Sequence, residues 1–388
     1  MRLIILSLVV FLVASCEVIN PPKEKKPSTT VDADADLSEE NSLPLDRITL
    51  PDGFEISLFA EGVTNARSMD ISPSGTVFVG TRRDGRVYAL KDTDGDKRSD
   101  QMFTLLKDGN MPNGVAFRDG DLYIAEVNRI LKFEDIETKL DNPGEPIVVY
   151  DEYPTESHHG WKYIAFGPDD KLYVPVGAPC NICESEDIFN TITRMNPDGS
   201  DMEIVHRGIR NTVGFTWHPE TRELWFTDNG RDMMGDEIPA CEFNRATSDN
   251  QHFGYPYCHQ GDLLDPKFGK GKSCDSYVAP AQNLGPHTAP LGVEFPQTTM
   301  FPGSYSERAL IAEHGSWNRS KKIGYRISMV PIKDNTTASG YDVFASGWLD
   351  EEKDEAWGRP VDIEFMDDGS MLISDDFAHV IYRVTYEG

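Results

Sequence analysis

Long apolar runs are missing from this chain beyond its first residues. The stretch from Leu3 to Ala14 is predominantly apolar but only about a dozen residues long, too short to cross a hydrocarbon layer of ~30 Å as a helix. Positive charge is scarce as well: 37 Lys and Arg stand against 65 Asp and Glu, a net charge of −28. So acidic a chain repels a polyanion, which excludes nucleic acid as a partner and leaves neutral sugars and cations. Aromatic residues are absent between Phe11 and Phe54, where Pro, Lys, Ser, Thr, Asp and Glu dominate. Such a segment cannot bury enough apolar surface to offset the entropy of ordering it. Sustained helical periodicity is absent from the remainder, which points away from a helical fold. A Cys-x-x-Cys-His haem attachment is absent too, because Glu184 follows Cys180-Asn181-Ile182-Cys183.

What is present begins with Arg2, the short apolar run, and Leu12-Val13-Ala14-Ser15-Cys16, which resembles the lipobox of bacterial lipoproteins. The expectation is a signal peptide over 1–15, lipidation at Cys16, a flexible tether over 16–46 and one globule over 47–388. The protein is then exported and lipid-anchored to the bacterial envelope, on its periplasmic or outer-membrane face. Glu17, in place of Asp after the cysteine, does not favour retention in the inner membrane. An exported chain favours disulfides. Cys180 with Cys183 and Cys258 with Cys274 are the expected pairs, leaving Cys241 without a deducible partner.

The globule repeats one module: an alternating strand, a polar turn, a second alternating strand, then a third ending in a basic or aromatic residue. Copies begin near Met69, Val115, Tyr163, Gly214, Gly292 and Val361, about 46 to 51 residues apart for the first four. Six such antiparallel units predict an all-β fold, a six-bladed β-propeller of four-stranded blades. A large sandwich rarely repeats one motif six times, and β-helix repeats are much shorter. Propeller insertions gather on one face, so segments 229–290 and 313–324 are where function is expected.

Four stretches set Arg or His beside Gly or Asn at strand edges: Arg207–Gly214, Thr227–Asp232, Ala312–Arg319 and Trp357–Asp362. Arginines converging near a propeller axis make an anion site, suited to a ligand with several carboxylates or phosphates. A separate acidic turn, Asp92-Thr93-Asp94-Gly95-Asp96 with Asp100, resembles the start of an EF-hand loop and is a candidate structural calcium site. It departs from that pattern at Lys97, where glycine is usual, and at Phe103, where Glu is usual.

The runs HHGWKYIAFGPDDKLYVPVGAP, GIRNTVGF, HFGYPYC, LGPHTAPLG, AEHGSWNR and GRPVDIEFMDDGSMLISDD together resemble the soluble glucose/sorbosone dehydrogenases, nearer to the sorbosone-type branch. That resemblance covers essentially the whole globule. It implies a propeller using pyrroloquinoline quinone (PQQ) and Ca²⁺ to oxidise the CH–OH group of a sugar, with hydride passing to PQQ. An external acceptor, a separate cytochrome or quinone, then takes the electrons. It implies His159 as general base, eight residues before the Gly of the G-P-D turn, with His158 as its neighbour. Arg210 and Asn211 match the family's Arg-Asn pair, Arg210 stabilising the developing oxyanion. Arg359 and Arg319 match its later cofactor contacts, and the backbone of Gly230-Arg231 matches its calcium ligands. His287 and Trp317 are candidates to line the sugar pocket. The rival readings are a calcium-dependent lactonase or esterase on a six-bladed propeller, and a non-catalytic carbohydrate-binding propeller.

Overall fold

The structure, a computed structural model, describes residues 43–388. The expected signal peptide, Cys16 and nearly all of the tether lie outside the described residues. The chain from Pro44 to Gly388 builds six antiparallel sheets around an axis. Blade 1 is Ala66–Ile71, Val77–Thr81, Val87–Lys91 and Gln101–Leu106; blade 2 is Gly114–Arg118, Asp121–Ala125, Ile130–Phe133 and Ile147–Tyr150. Blade 3 is Ala165–Phe166, Leu172–Val176, Thr191–Met195 and Glu203–Arg207; blade 4 is Phe215–Trp217, Leu224–Asp228, Ala240–Ala246 and Gln282–Pro286. Blade 5 is Pro290–Glu294, Arg308–Glu313, Arg326–Lys333 and Asp342–Ala345. Blade 6 takes three strands, Pro360–Phe365, Met371–Asp375 and Val380–Tyr386, from the end of the chain. Its outer strand, Phe54–Glu61, comes from the beginning, with Phe54 opposite Tyr386. That exchange closes the ring and removes the open sheet edge a linear array would carry.

Burial explains the pattern read from the sequence. The second strand of a blade is covered on both faces by neighbouring blades, so Leu172–Val176 and Met371–Asp375 are buried throughout, although the module reads as alternating in sequence. Outer strands such as Gln101–Leu106 are partly exposed. The core is divided among blade interfaces. Phe78, Val87 and Leu105 of blade 1 meet Val115, Leu122 and Leu131 of blade 2, and Trp225 and Phe243 of blade 4 meet Val293 and Ile311 of blade 5. Inner strands of successive blades adjoin around the axis. Connections into each inner strand and turns leaving each second strand therefore share one face, where loops 229–239 and 314–325 also lie. The acidic turn 92–100 joins the third and fourth strands of blade 1, on the other face.

Candidate active site

A cavity of about 590 Å³ opens where the inner strands begin, lined by residues from all six blades or their connections. Leu291 and Trp161 in its lining pack together with Val213 and Val361 behind them. His158 and His159 arrive on the connection into blade 3, their rings 4.1 Å apart. His159 sits at φ +52°, in the left-handed region that costs a non-glycine residue energy and is concentrated at functional sites. Two neighbours hold it there. Buried Lys162 donates from Nζ to the Gly160 carbonyl (3.0 Å), and Gly177 lies so close that a Cβ on it would meet the Cβ of His159 at 2.7 Å.

The imidazole of His159 bonds through Nδ1 to the Ala178 carbonyl at 2.9 Å. A carbonyl only accepts, so Nδ1 carries the hydrogen and Nε2 keeps its lone pair, with no partner among the described residues. Burial, then Arg210 and His158, hold its pKa well below the ordinary imidazole value. The ring is a neutral base. His158, more exposed, is lowered in the same direction by burial and Arg210.

Opposite, the backbone N–H groups of Arg210 and Asn211 donate to the two oxygens of buried Asp228, at 2.8 and 2.6 Å. Burial pushes the Asp228 carboxyl up to about 6 against these bonds. The Arg210 guanidinium is fixed by the carbonyl and side-chain oxygens of Asn181 (both 2.9 Å), the Asn229 carbonyl (3.1 Å) and Asp232 Oδ2 (3.3 Å). Asn181 itself is held in the loop closed by the Cys180–Cys183 disulfide. That small loop therefore aims the arginine. Asn211 is 7% exposed and lines the cavity, yet its side-chain amide has no hydrogen bond among the described residues.

On the far side Arg359 donates to the carbonyls of His314 (3.0 Å) and Gly315 (3.1 Å). Arg67, 1% exposed, donates to Asn113 Oδ1 (2.9 Å) and to Asp376 Oδ2 (3.0 Å), whose other oxygen accepts Nε2–H of His314 at 2.7 Å. Burial disfavours the Asp376 anion, but His314, Arg67 and Arg359 outweigh it and hold the carboxyl well below the usual range. Burial lowers His314 to about 4 despite Asp376, so it too is neutral.

Of the residues singled out from the sequence, His158, His159, Arg210, Asn211, Gly230, His287, Trp317 and Arg359 line this cavity together. Trp317 stands at its mouth, 70% exposed. His287 donates from Nε2 to the Gly235 carbonyl at 2.8 Å, and its Nδ1 is 3.9 Å from Asp232 Oδ1. Arg231 turns its guanidinium to Asp265 (2.6 Å), outside the lining. Arg319 is likewise outside it. Its donors go to the carbonyls of Asp236 (3.2 Å) and Lys321 (3.0 Å) and to Glu237 (2.7 Å), bracing loop 314–325 on loop 229–239. Cys258 and Cys274 are bonded, and Cys241 is free and buried at the cavity wall. In the acidic turn, oxygens of Asp92, Asp94 and Asp100 lie within 4.8 Å of one another. Asp96 instead accepts from the Arg98 N–H at 2.8 Å.

Arg67, Arg82, Trp161 and Asp376 were not picked out by sequence reasoning. The repeat itself carried the signal for Arg82 and Asp376, which follow a second strand as Asn229 and His314 do; Arg67 lies inside its inner strand, Ala66–Ile71, and not ahead of it as Arg359 does.

A family described as TrAA12-like matches residues 48–387. A Borreliella burgdorferi protein, described only as uncharacterized, is 33% identical over 353 residues, covering 88% of this chain and 91% of that one. Among solved structures, the calcium structure of Trichoderma reesei carbohydrate-active enzyme family AA12 has a TM-score of 0.78 at 19% identity, covering 90% of this chain and 99% of that one. The holo form of the pyranose dehydrogenase PQQ domain from Coprinopsis cinerea gives 0.71 at 17%, covering 87% and 97%. PQQ-bound aldose sugar dehydrogenase from Streptomyces coelicolor gives 0.63 at 17%, covering 87% and 99%. At these identities the structural likeness bears on the fold.

Proposed function

The chain belongs to the TrAA12-like family, and from that premise we propose that it is a PQQ- and calcium-dependent oxidoreductase acting on a CH–OH group of a sugar. Structural neighbours described by PQQ, calcium, pyranose or aldose sugar support the class. One observation on this chain carries the reading: a neutral His159, with Nε2 open, on a cavity lined by five arginines. When bound, PQQ supplies the two-electron acceptor and calcium the Lewis acid that polarises it.

The residues present fit that group. Arg210 and Arg359 offer guanidinium donors from two sides, and the Asn211 amide lines the cavity with no partner among the described residues, as suits a tricarboxylate. Gly230 and Asp232, adjacent in the lining, offer oxygen donors for a hard cation, and Arg231 contributes to it through backbone alone. His159 Nε2 takes the proton of the sugar hydroxyl whose carbon is oxidised. The Arg210 guanidinium stabilises the negative charge that grows on oxygen as the reaction proceeds. His158, His287 and Trp317 bound the sugar on the open side. Electrons leave to a separate cytochrome or quinone, from an enzyme tethered to the envelope through Cys16. Asp92, Asp94 and Asp100 serve, in this reading, as a structural calcium site.

The test adds PQQ and Ca²⁺ to purified protein, follows the absorbance of bound quinone, and then its reduction across a sugar panel. Micromolar binding followed by reduction is expected. Protein that takes up no quinone at micromolar concentration is not such an enzyme.

A further inference from the structure

Arg82 and Arg83 follow directly on the second strand of blade 1. Asn65 Oδ1 accepts from both of their backbone N–H groups, at 3.1 and 2.6 Å, which fixes the turn with both residues in the cavity lining. The Arg82 guanidinium stands over Trp161, 3.4 Å from the ring centroid, and Trp161 in turn is 6.0 Å from the ring of His159. The Nε of Arg82 is buried without a hydrogen-bond partner, and so is Nε1 of Trp161. Neither arginine meets a carboxylate among the described residues, although the chain has 65 Asp and Glu. Burial, with Arg67 and Arg83 beside it, lowers Arg82 to about 9 against the opposing charge of Asp376.

Charge decides what this pair is for. Five arginines line the cavity, opposed by Asp232 and Asp228 beside Arg210 and by Asp376 behind Arg67, an excess of two. A tricarboxylate arriving with a divalent cation removes only one of these. Positive charge is left over, and the two arginines without partners are Arg82 and Arg83. The acidity of the whole chain argues for a neutral ligand, but beyond about 8 Å surface charges are screened at physiological salt. The nearest groups set the field inside a cavity.

We propose that the sugar oxidised here is itself an anion, carrying a carboxylate or phosphate held by Arg82 and Arg83. This rests on the function proposed above. The anionic group is separated from the base by the single ring of Trp161, so one end of a sugar is held while a hydroxyl at the other is presented to His159.

The test uses PQQ- and calcium-loaded protein with glucuronate, glucose 6-phosphate and glucose at constant ionic strength. At least one anion is expected to exceed glucose in kcat/KM by about tenfold or more, and which one does distinguishes carboxylate from phosphate. A charged hydrogen bond contributes about 1.5–3 kcal/mol, so Arg82→Gln should lower the anion-to-glucose ratio by about 10- to 100-fold. Calorimetric titration with the same three ligands reads affinity apart from turnover, and circular dichroism checks folding. Arg83→Gln, at an exposed position, should lower the ratio in the same direction. Glucose as good as either anion would overturn the proposal. So would an Arg82→Gln protein that binds PQQ more weakly but keeps the ratio, since Arg82 would then be a cofactor ligand. If no PQQ binds, the oxidoreductase reading fails separately, and titration of the PQQ-free protein decides the anion site. There an anion must bind more tightly than glucose and lose that preference in Arg82→Gln; equal binding overturns the proposal.

Discussion

Gly177→Ala offers the sharpest probe of His159 without touching it. The new Cβ would lie 2.7 Å from the Cβ of His159 and 2.8 Å from its carbonyl oxygen, where ordinary contact begins at 3.4 Å. The segment bearing His159 must therefore retreat by roughly 0.7 Å. It has little freedom to do so smoothly, being held at a left-handed φ by the Ala178 carbonyl on one side and by Lys162 under Gly160 on the other. Overpacking of this kind costs about 1–3 kcal/mol of stability. A displacement approaching 1 Å at a reacting group costs about 10²-fold in turnover. Steady-state kcat of the PQQ-loaded variant should thus fall by about 10- to 100-fold. Its PQQ affinity should change far less, because Arg359 and Asn211 stay where they are. Thermal melting reads the stability cost in parallel. Wild-type kcat in Gly177→Ala, beside a loss of about 10²–10⁴-fold in His159→Ala, would refute the close approach of these residues. Wild-type kcat in both would remove His159 from the chemistry.

Three further outcomes follow from the same geometry. In the PQQ-free protein, the NMR signals of His159, assigned by difference with His159→Asn, should not titrate between pH 8 and 6, because burial and Arg210 hold its pKa well below the ordinary value; a midpoint near 6.5 would contradict this. Cys180→Ser with Cys183→Ser should release Asn181, which supplies two of the acceptors of Arg210, and weaken PQQ binding measured by calorimetry by about tenfold, the worth of one charged hydrogen bond; unchanged affinity would mean the loop does not aim the arginine. At the other end of the channel Glu294 and Glu364 line a second cavity of about 250 Å³, and burial with neighbouring Asp362 and Asp70 raises Glu294 to about 8. A folded-state pKa above the unfolded one stabilises at low pH and loses that contribution as pH rises through it. Melting temperature should therefore fall between pH 6.5 and 8.5, and fall less in Glu294→Gln; parallel slopes in the two proteins would refute the assignment.

The repeat made the fold legible. Six copies of one hairpin module carry their own boundaries, since short alternating strands stand between Gly, Pro and Asp turns. Arg210, Asn211 and Arg359, matched through the family resemblance, stand on connections into inner strands and line the cavity. Arg67 lies instead inside its inner strand, Ala66–Ile71, ahead of the start near Met69 that the repeat gave for the first copy. Arg319, matched through the resemblance to a later cofactor contact, lies outside the cavity lining, because Glu237 and the Asp236 carbonyl pair with its guanidinium. Asn181 could not have been found. Its role depends on the three-dimensional neighbourhood of a disulfide loop and an arginine 29 residues away.

One position per blade, just past the second strand, borders or supports this cavity. Second strands end at Thr81, Ala125, Val176, Asp228, Glu313 and Asp375, and the residues that follow are Arg82, Glu126, Gly177, Asn229, His314 and Asp376. Antiparallel order brings all six turns to the same face. Each makes a different contribution: Gly177 leaves room for His159, Asn229 offers its carbonyl to Arg210, and His314 with Asp376 steadies Arg67. Glu126 pairs instead with Arg129 and holds the Asn110 N–H at 2.8 Å. Arg82 alone among the six brings a positive charge with no partner among the described residues. The blades beneath do not depend on it, because strand pairing uses backbone groups and interblade packing uses apolar ones. A single substitution at Arg82 is therefore expected to change which ligand charge the cavity accepts while leaving the propeller intact.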